Sequence, residues 1–199
     1  AAHIAPFFQK AEDGGISYPT MTIDDICALP IARISERDCA LFLWATMPKL
    51  KEALKTIEAW GFIYISCAFC WVKQNPNGSG IYSGLGHWTN GNAELCLFAK
   101  KGHPKRVAKN IKQILLSPRG RHSAKPPETR ERIERLMGDL PRIELFARQH
   151  AEVGIAGGMK YETHGNVTKI NGAEVEPYQN TAQTREKSAL TSILTIGTF

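Results

Sequence analysis

The stretch "DCALFLWATMPKLKEALKTIEAWGFIYISCAFCWVK" (residues 38–73) contains two apolar runs separated by an amphipathic segment. Residues 38–46 form a continuous apolar run of strand length, which is typical of a central strand buried on both faces. In residues 48–60 the apolar side chains recur every three or four positions, which is helical spacing. Residues 62–73 return to the composition of a strand. A strand, a helix and a second strand in direct succession predict an α/β fold.

The sequence on both sides of this stretch continues the alternation of strands and helices. Such an order is typical of α/β proteins with a mainly parallel sheet flanked by helices. Ligands of these sheets bind at the carboxyl ends of the strands, so chemistry is expected there. The further predicted elements are a helix in residues 18–30 capped by Thr22, a loop in 74–92, a strand in 93–102, a helix in 125–139 and a strand in 141–148.

Length and composition indicate one well-cored soluble domain, since the chain has 199 residues, 43% of them hydrophobic and 22% charged. It contains no apolar run of membrane-spanning length and no secretory leader pattern, so a cytoplasmic protein without membrane contact is expected. The five cysteines lie mostly in apolar runs, which is typical of reduced core thiols. Cys67 and Cys70 form a C-x-x-C pair, for which a core position is favoured over a redox or metal role. The six histidines are scattered, so no metal site is predicted.

The chain is basic, with a formal net charge of +6 and a pI of about 9.1. The basic residues cluster in residues 100–112 and again in residues 119–125. Such clusters attract nucleic acid because they neutralise phosphates and release counterions. On this observation a nucleic acid partner and a merely solvated loop are both open.

Three segments carry residue types that suit nucleotide chemistry. His87, Trp88 and Asn90 lie in the predicted loop, and rings together with amide groups are suited to hold a base. Packing of Trp88 in the core is the alternative. Lys125 precedes a predicted helix, where it either meets an anionic ligand or is simply exposed. Glu144 lies near the end of a predicted strand, where a carboxylate can accept ribose hydroxyl groups.

Six blocks of the sequence, in order and spacing, resemble the mRNA adenosine-N6 methyltransferase family, which is named for its seventy-kilodalton adenosine methyltransferase subunit. Bacterial and phage DNA adenine methyltransferases also belong to this family, and the compact domain favours that branch. The resemblance covers residues 18–150 almost without a break. The matching blocks are "YPTMTIDDICALP", "ALFLWATMPKLKEAL", "WGFIYISCAFCWVK", "GHWTNGNAELCLFAKKG", "HSAKPPETRERIERL" and "IELFAR".

The resemblance implies a Rossmann-like fold that binds S-adenosylmethionine and transfers its methyl group to N6 of adenine, in DNA more than in RNA. It also implies a homodimer, or a heterodimer with another methyltransferase subunit. The residues implied at the cofactor are Lys125, Glu144, Phe146, Arg148 and His150. The residues implied to border the adenine pocket are Tyr18, Pro19, His87, Trp88 and Asn90.

The family's catalytic signature, Asp-Pro-Pro-Trp after the first strand, is not found in this sequence. In the family it precedes the block that begins at Tyr18, so here it would fall at or before Ala1. The signature orients the adenine amino group and stacks on the base, and loss of such positioning costs orders of magnitude in rate. The domain predicted in residues 1–150 therefore lacks its first strand and its catalytic motif, and little activity is expected. A catalytically inactive nucleic-acid-binding partner subunit of an active methyltransferase is the alternative function.

Residues 151–199 are predicted to form a divergent tail. The family continues with Gly-Trp-x-x-Trp-Gly-Asn, whereas residues 152–159 read "EVGIAGGM". Residues 152–160 can be encoded by codons that, read in a frame shifted by one base, translate as GWDCWGNE. A frame change near Glu152 is therefore one hypothesis. A loosely ordered tail and a genuine extension with its own fold are the others. Residues 164–177 resemble a stretch of cytosine-C5 DNA methyltransferases, but no Pro-Cys follows and no site is assigned.

Overall fold

The fold consists of three α-helices and nine β-strands within the part of the chain that the computed structural model describes. That part comprises residues 21–86, 88–120, 124–145, 161–164, 167–170, 173–175 and 191–196. The helices are α1 (Ile23–Cys27), α2 (Leu50–Ala59) and α3 (Glu128–Met137). The strands are β1 (Asp38–Ala45), β2 (Ile63–Gln74), β3 (Ala93–Lys101), β4 (Ile114–Pro118), β5 (Arg142–Leu145), β6 (Tyr161–His164), β7 (Val167–Ile170), β8 (Ala173–Val175) and β9 (Thr191–Ile196).

Helix α1 is short and is held by its cap and by α2. The Oγ1 of Thr22 accepts a hydrogen bond from the amide of Asp25 at 3.1 Å, which confirms the predicted cap. The indole of Trp60, directly after α2, donates to the carbonyl of Ile26 in α1 at 2.9 Å. Gly61 then adopts a φ of 76°, a conformation that favours glycine, and α2 ends as predicted.

Six of the strands form one mixed sheet in the order β4-β2-β3-β1-β9-β5. The pairs β1–β9, β5–β9 and β2–β4 are parallel, whereas β3 runs antiparallel to both β1 and β2. The predicted α/β class is confirmed, but the expectation of a mainly parallel sheet is met only in part because β3 is reversed. The connection explains the reversal: residues 75–92 join β2 to β3 as an extended hairpin, without the crossover that a parallel pair requires.

Two strands of the main sheet are not predicted from the sequence pattern. Strand β4 lies in a stretch bounded by basic residues, and its short apolar run is obscured by them. Strand β9 comes from the predicted tail, yet it pairs inside the main sheet, between β1 and the edge strand β5. The strands β6, β7 and β8 form a separate antiparallel sheet. The division of the chain at residue 150 stays a prediction.

Strand β1 is buried on both faces and separates two hydrophobic layers. On one face, Leu43 packs in a cluster that includes Ile57 of α2. On the other face, Phe42 packs in a cluster that includes Ile133 of α3, and its ring centroid lies 5.3 Å from that of Phe98. The helices therefore cover opposite faces of the sheet. No helix in the described residues is both long and apolar enough to cross a membrane.

The thiols of the sheet fit the core positions that the sequence favours. Cys96 is buried, whereas Cys67 and Cys70 are half-buried, and all three are free. Burial raises the pKa of the thiols of Cys67 and Cys70, and it raises that of Cys96 well above the ordinary range. Because a raised pKa lowers the fraction of thiolate, these cysteines are poor nucleophiles.

The substitution Ile57→Ala is expected to lower the free energy of unfolding by about 2–5 kcal/mol, because Ile57 is fully buried and its truncation leaves a cavity. Glu58→Ala, on the exposed side of the same helix, is the matched control and should change it by less than about 0.5 kcal/mol. Urea unfolding followed by circular dichroism measures both variants. Equal stability of the two variants would contradict this packing of α2.

Candidate functional site

The reversal of β3 brings an acidic residue to the carboxyl ends of β1 and β2. Glu94, near the start of β3, lies opposite Trp71 in the antiparallel register with β2. Lys73 lies near the end of β2, and Lys125 lies three residues before α3. These elements meet at the carboxyl ends of β1 and β2, which is where ligands of α/β proteins bind.

Glu94 accepts hydrogen bonds from both lysines. The Nζ of Lys73 donates to Oε1 at 2.6 Å, and the Nζ of Lys125 donates to Oε2 at 2.6 Å. Glu94 is only 8% exposed, and the side chains of both lysines are largely buried. Two ammonium groups thus face one carboxylate among these three side chains. We refer to Lys73, Glu94 and Lys125 as the Lys–Glu–Lys cluster.

Two tryptophans form the apolar wall of this cluster. The rings of Trp44 and Trp71 meet edge to face, with centroids 6.4 Å apart and an interplanar angle of 81°. The Nζ of Lys73 lies 5.2 Å from the Trp71 centroid, and that of Lys125 lies 5.5 Å from the Trp44 centroid. Both ammonium groups thus interact with an aromatic ring as well as with Glu94.

Opposing effects set the ionisation of Glu94. Burial raises the pKa of its carboxyl group, but the hydrogen bonds and charges of Lys125 and Lys73 outweigh burial, so the pKa lies below its ordinary value. Glu94 is therefore ionised at neutral pH. Buried ion pairs contribute little net stability because the charges lose their hydration. A buried cluster of ionised groups at strand ends is therefore a candidate functional site.

The chain that leads into α3 fixes the position of Lys125. Pro126 directly follows it and is buried, and its carbonyl accepts a hydrogen bond from the amide of Thr129 at 3.0 Å. The hydroxyl of Thr129 is buried and has no hydrogen-bond partner among the described groups. An anionic ligand group that meets Lys125 would therefore lie close to the first turn of α3.

The residue types of the site limit its chemistry. The two ammonium groups can donate charge-assisted hydrogen bonds to a carboxylate or phosphate group. The tryptophan rings suit an organic ligand better than a bare ion. Within the described ranges, no group of three or more His, Cys, Asp or Glu side chains is arranged to hold a metal ion.

The structure brings one of the predicted site residues into this cluster and places three others elsewhere. Lys125 is a cluster member and is not the simply exposed lysine of the alternative interpretation. Glu144 lies on β5, where it is half-buried and accepts a hydrogen bond from Arg130 at 2.5 Å. Trp88 and Asn90 are exposed in the hairpin between β2 and β3. Tyr18, Pro19, His87, Phe146, Arg148 and His150 lie outside the described residues.

The hairpin presents Trp88 to solvent, since this side chain is 99% exposed. The alternative that Trp88 packs in the core is therefore wrong. Arg119, directly after β4, contacts the hairpin. Its guanidinium donates a hydrogen bond to the hydroxyl of Tyr82 at 3.0 Å and lies 4.0 Å from the centroid of the Tyr82 ring. The backbone amide of Arg119 also donates to the carbonyl of Gln74 at 3.2 Å. The role of Trp88 at a substrate stays a prediction.

The sequence analysis does not identify Glu94 and Lys73. Glu94 is the one charged residue among the first seven of β3, "AELCLFA", in a strand that is otherwise apolar there. A carboxylate in such a position requires a cationic partner, and this is a usable sequence signal. The identity of the partners could not be deduced because Lys73 and Lys125 are distant in sequence.

An α/β sheet with a charged site at its strand ends defines a broad class of ligand-binding domains. Residues 5–159 match the family MT-A70, so the chain belongs to this methyltransferase family. The family implies an S-adenosylmethionine-dependent methyltransferase fold. The resemblance inferred from six sequence blocks is thereby confirmed.

Three relatives illustrate the family. The type II methyltransferase M.MunI of Mycoplasma sp is 36% identical over 135 residues, which cover 67% of this chain and 55% of that protein. The N(6)-adenosine-methyltransferase MT-A70-like protein of Arabidopsis thaliana is 33% identical over 137 residues, 68% of this chain and 20% of that protein. The human N(6)-adenosine-methyltransferase catalytic subunit METTL3 is 32% identical over 137 residues, 68% of this chain and 23% of its own length. The matched region thus spans about half, or less, of each relative.

The substitution Glu94→Gln is expected to destabilise the fold by about 1–3 kcal/mol at pH 7, because two partly buried ammonium groups lose their counter-charge. The pKa of Glu94 is lower in the folded state than in the unfolded state. The stability that ionised Glu94 contributes to the fold is therefore complete above the unfolded pKa of about 4.3. It is lost as the pH falls through the lower folded value.

The stability difference between wild type and Glu94→Gln should therefore shrink below about pH 4, as measured by urea unfolding across a pH series. Glu58→Gln, at an exposed position of α2, is the control and should follow the wild type at every pH. A difference that stays constant down to about pH 2 would show that folding does not lower the pKa of Glu94.

Proposed function

We propose that this chain acts in methyl transfer from S-adenosylmethionine to N6 of adenine, and the names of the Arabidopsis and human relatives as N(6)-adenosine-methyltransferases support the site of transfer. The Lys–Glu–Lys cluster at the strand ends carries this proposal, and membership of the MT-A70 family supports it. We further propose DNA rather than RNA as the substrate. The similarity to the type II methyltransferase of Mycoplasma sp supports this choice, because its 36% identity exceeds the 33% and 32% of the Arabidopsis and human N(6)-adenosine-methyltransferases.

The residues of the site fit S-adenosylmethionine, which supplies a sulfonium-activated methyl group together with a carboxylate and a ribose. Lys125 would bind the carboxylate, because its ammonium group lies at the strand ends and can donate a charge-assisted hydrogen bond. Glu144 would accept hydrogen bonds from ribose hydroxyl groups, which requires that it leave its pairing with Arg130. Phe146, Arg148 and His150 stay proposed cofactor residues on the family resemblance alone.

A basic surface supports binding to a nucleic acid. Its side chains follow β3 and are exposed to solvent, where they can neutralise phosphates. The exposed ring of Trp88 would stack on a base, and His87, Asn90, Tyr18 and Pro19 are proposed to border the adenine. The exposed basic residues between β3 and β4 are Lys105, Arg106, Lys109 and Lys112.

We propose that methyl transfer by this chain alone is impaired, because its sequence holds no Asp-Pro-Pro-Trp. A group that orients the adenine amino nitrogen is needed for a weak nucleophile to attack at a useful rate. The second candidate function is a catalytically inactive nucleic-acid-binding subunit that pairs with an active methyltransferase. The exposed basic surface between β3 and β4 favours it. In either function we propose a cytoplasmic protein without membrane contact that acts as a homodimer or heterodimer.

The substitution Lys125→Met should weaken binding of S-adenosylmethionine by at least about tenfold, because it removes a charge-assisted hydrogen bond to the carboxylate. Lys105→Met, at an exposed position away from the cluster, is the control and should bind like the wild type. Isothermal titration calorimetry measures all three proteins. Equal affinity of wild type and Lys125→Met would refute the proposed cofactor site.

The double substitution Lys105→Gln with Lys109→Gln should lower DNA affinity and reduce the slope of log affinity against log salt by about 2, one for each lost phosphate contact. Fluorescence anisotropy with a labelled duplex measures this, and Glu58→Gln serves as a control that leaves the slope unchanged. An unchanged slope in the double variant would exclude this surface from nucleic acid binding. Methyl transfer to the same duplex then separates the two functions, since turnover by the purified chain would refute the inactive-subunit interpretation.

A further inference from the structure

The two lysines of the Lys–Glu–Lys cluster differ in how their backbone is held. Lys73 lies within β2, where its amide donates to the carbonyl of Asn92 at 2.8 Å and its carbonyl accepts from the amide of Tyr82 at 2.8 Å. Lys125 lies before α3, outside the helices and strands. Lys73 is therefore held on both sides by its neighbours, and Lys125 is the better placed of the two to turn toward a ligand.

The two lysines also bind different oxygens of Glu94. Lys73 donates to Oε1 and Lys125 donates to Oε2, so the loss of one hydrogen bond leaves the other in place. With both lysines present, the pKa of the Glu94 carboxyl lies below its ordinary value although burial raises it. A buried carboxylate without a cationic partner is strongly disfavoured and takes up a proton instead. One lysine must therefore stay with Glu94 for it to remain ionised while the other binds an anion.

The groups around this carboxylate come from several elements. The charged groups that contact Glu94 are Lys73 of β2 and Lys125 before α3. Trp44 of β1 lies against Lys125 and carries no charge. Cys96 of β3 interacts electrostatically with Lys125, but burial raises the pKa of its thiol well above the ordinary range, so the thiol is neutral. In the described part of the chain, Lys73 is thus the group that can keep Glu94 ionised when Lys125 is engaged elsewhere.

We propose that Lys73 is a positioning residue, which holds Glu94 ionised so that Lys125 can bind the carboxylate of S-adenosylmethionine without uptake of a proton. This inference rests on the proposed function, in which Lys125 binds that carboxylate. Lys73 acts through Glu94 and Lys125 and does not itself bind the cofactor. Without Lys73, Glu94 would lose its last partner whenever Lys125 bound the cofactor, and binding would be coupled to protonation of Glu94.

The first test measures proton uptake when S-adenosylmethionine binds, by isothermal titration calorimetry in two buffers of different ionisation enthalpy. The variant Lys73→Met should take up as much as about one proton more per bound cofactor than the wild type does. Its affinity should be at least about tenfold lower than that of the wild type near pH 8, and the difference should shrink as the pH falls, because protons then neutralise Glu94 more readily. Proton uptake equal to that of the wild type would overturn the proposal, because Lys125 would then serve Glu94 and the cofactor at once.

Two further variants separate positioning from a structural effect. The double substitution Lys73→Met with Glu94→Gln removes the carboxylate as well, so it should regain the wild-type affinity and show no added proton uptake. Lys105→Met, which loses the same charge at an exposed position, is the matched control and should match the wild type in both measurements. A double variant that binds as weakly as Lys73→Met would also overturn the proposal, since Lys73 would then not act through Glu94.

The second test uses the wild-type chain, so it decides the question even if Lys73→Met does not fold. Carbon-13 NMR of protein labelled at the glutamate carboxyl carbons follows Glu94, whose signal is absent from Glu94→Gln. Glu94 should stay ionised near pH 6, well above its unfolded pKa of about 4.3, both with and without saturating S-adenosylmethionine. Protonation of Glu94 in the complex would overturn the proposal.

The proposed function and this inference fail in different ways. A wild-type chain that does not bind S-adenosylmethionine refutes the proposed cofactor site, and the inference falls with it. Binding by the wild type that is unaffected by Lys73→Met refutes the role of Lys73 and leaves the cofactor site in place.

Discussion

Burial of both faces of β1 is the constraint on which the rest of the structure depends. Its side chains alternate between two hydrophobic clusters, so a shift of one residue would exchange the faces and place each side chain in the wrong layer. The strands on either side are thereby held in register as well. The position of Glu94 at the start of β3 and the position of β9 beside β5 both follow from this register.

Stability alone does not explain the Lys–Glu–Lys cluster, because apolar groups of similar volume are often at least as stabilising as a buried ion pair. If Lys125 binds an anionic ligand group, as we propose, that group would compete with Glu94 for the ammonium group of Lys125. Lys73 would keep Glu94 paired while Lys125 turned to the ligand. The proposed exchange would therefore not leave a buried carboxylate uncompensated.

The sequence predicts those features that depend on local periodicity, and it fails for those that depend on tertiary pairing. The apolar run of β1, the helical spacing of α2 and the cap at Thr22 are local signals, and the structure confirms them. The direction of β3 depends on the path of a long connection, and the sequence shows that connection only as a glycine-rich loop. In the site, Lys125 was identified from the family resemblance, whereas Glu94 gains its meaning from two lysines that are distant in sequence. Strand β9 gives no signal because the short mixed segment "TSILTI" is ambiguous without its neighbours.

The distribution of the four tryptophans gives this chain separate optical reporters. Trp44, Trp60 and Trp71 are buried, whereas Trp88 is almost fully exposed on the hairpin. A water-soluble quencher such as iodide therefore silences the emission of Trp88 and leaves the emission of the other three. Of these three, Trp44 and Trp71 lie against the ammonium groups of the cluster, so a change of partner at Lys125 alters the field at an indole ring. Events at the hairpin and events at the strand ends can thus be followed in one unlabelled protein.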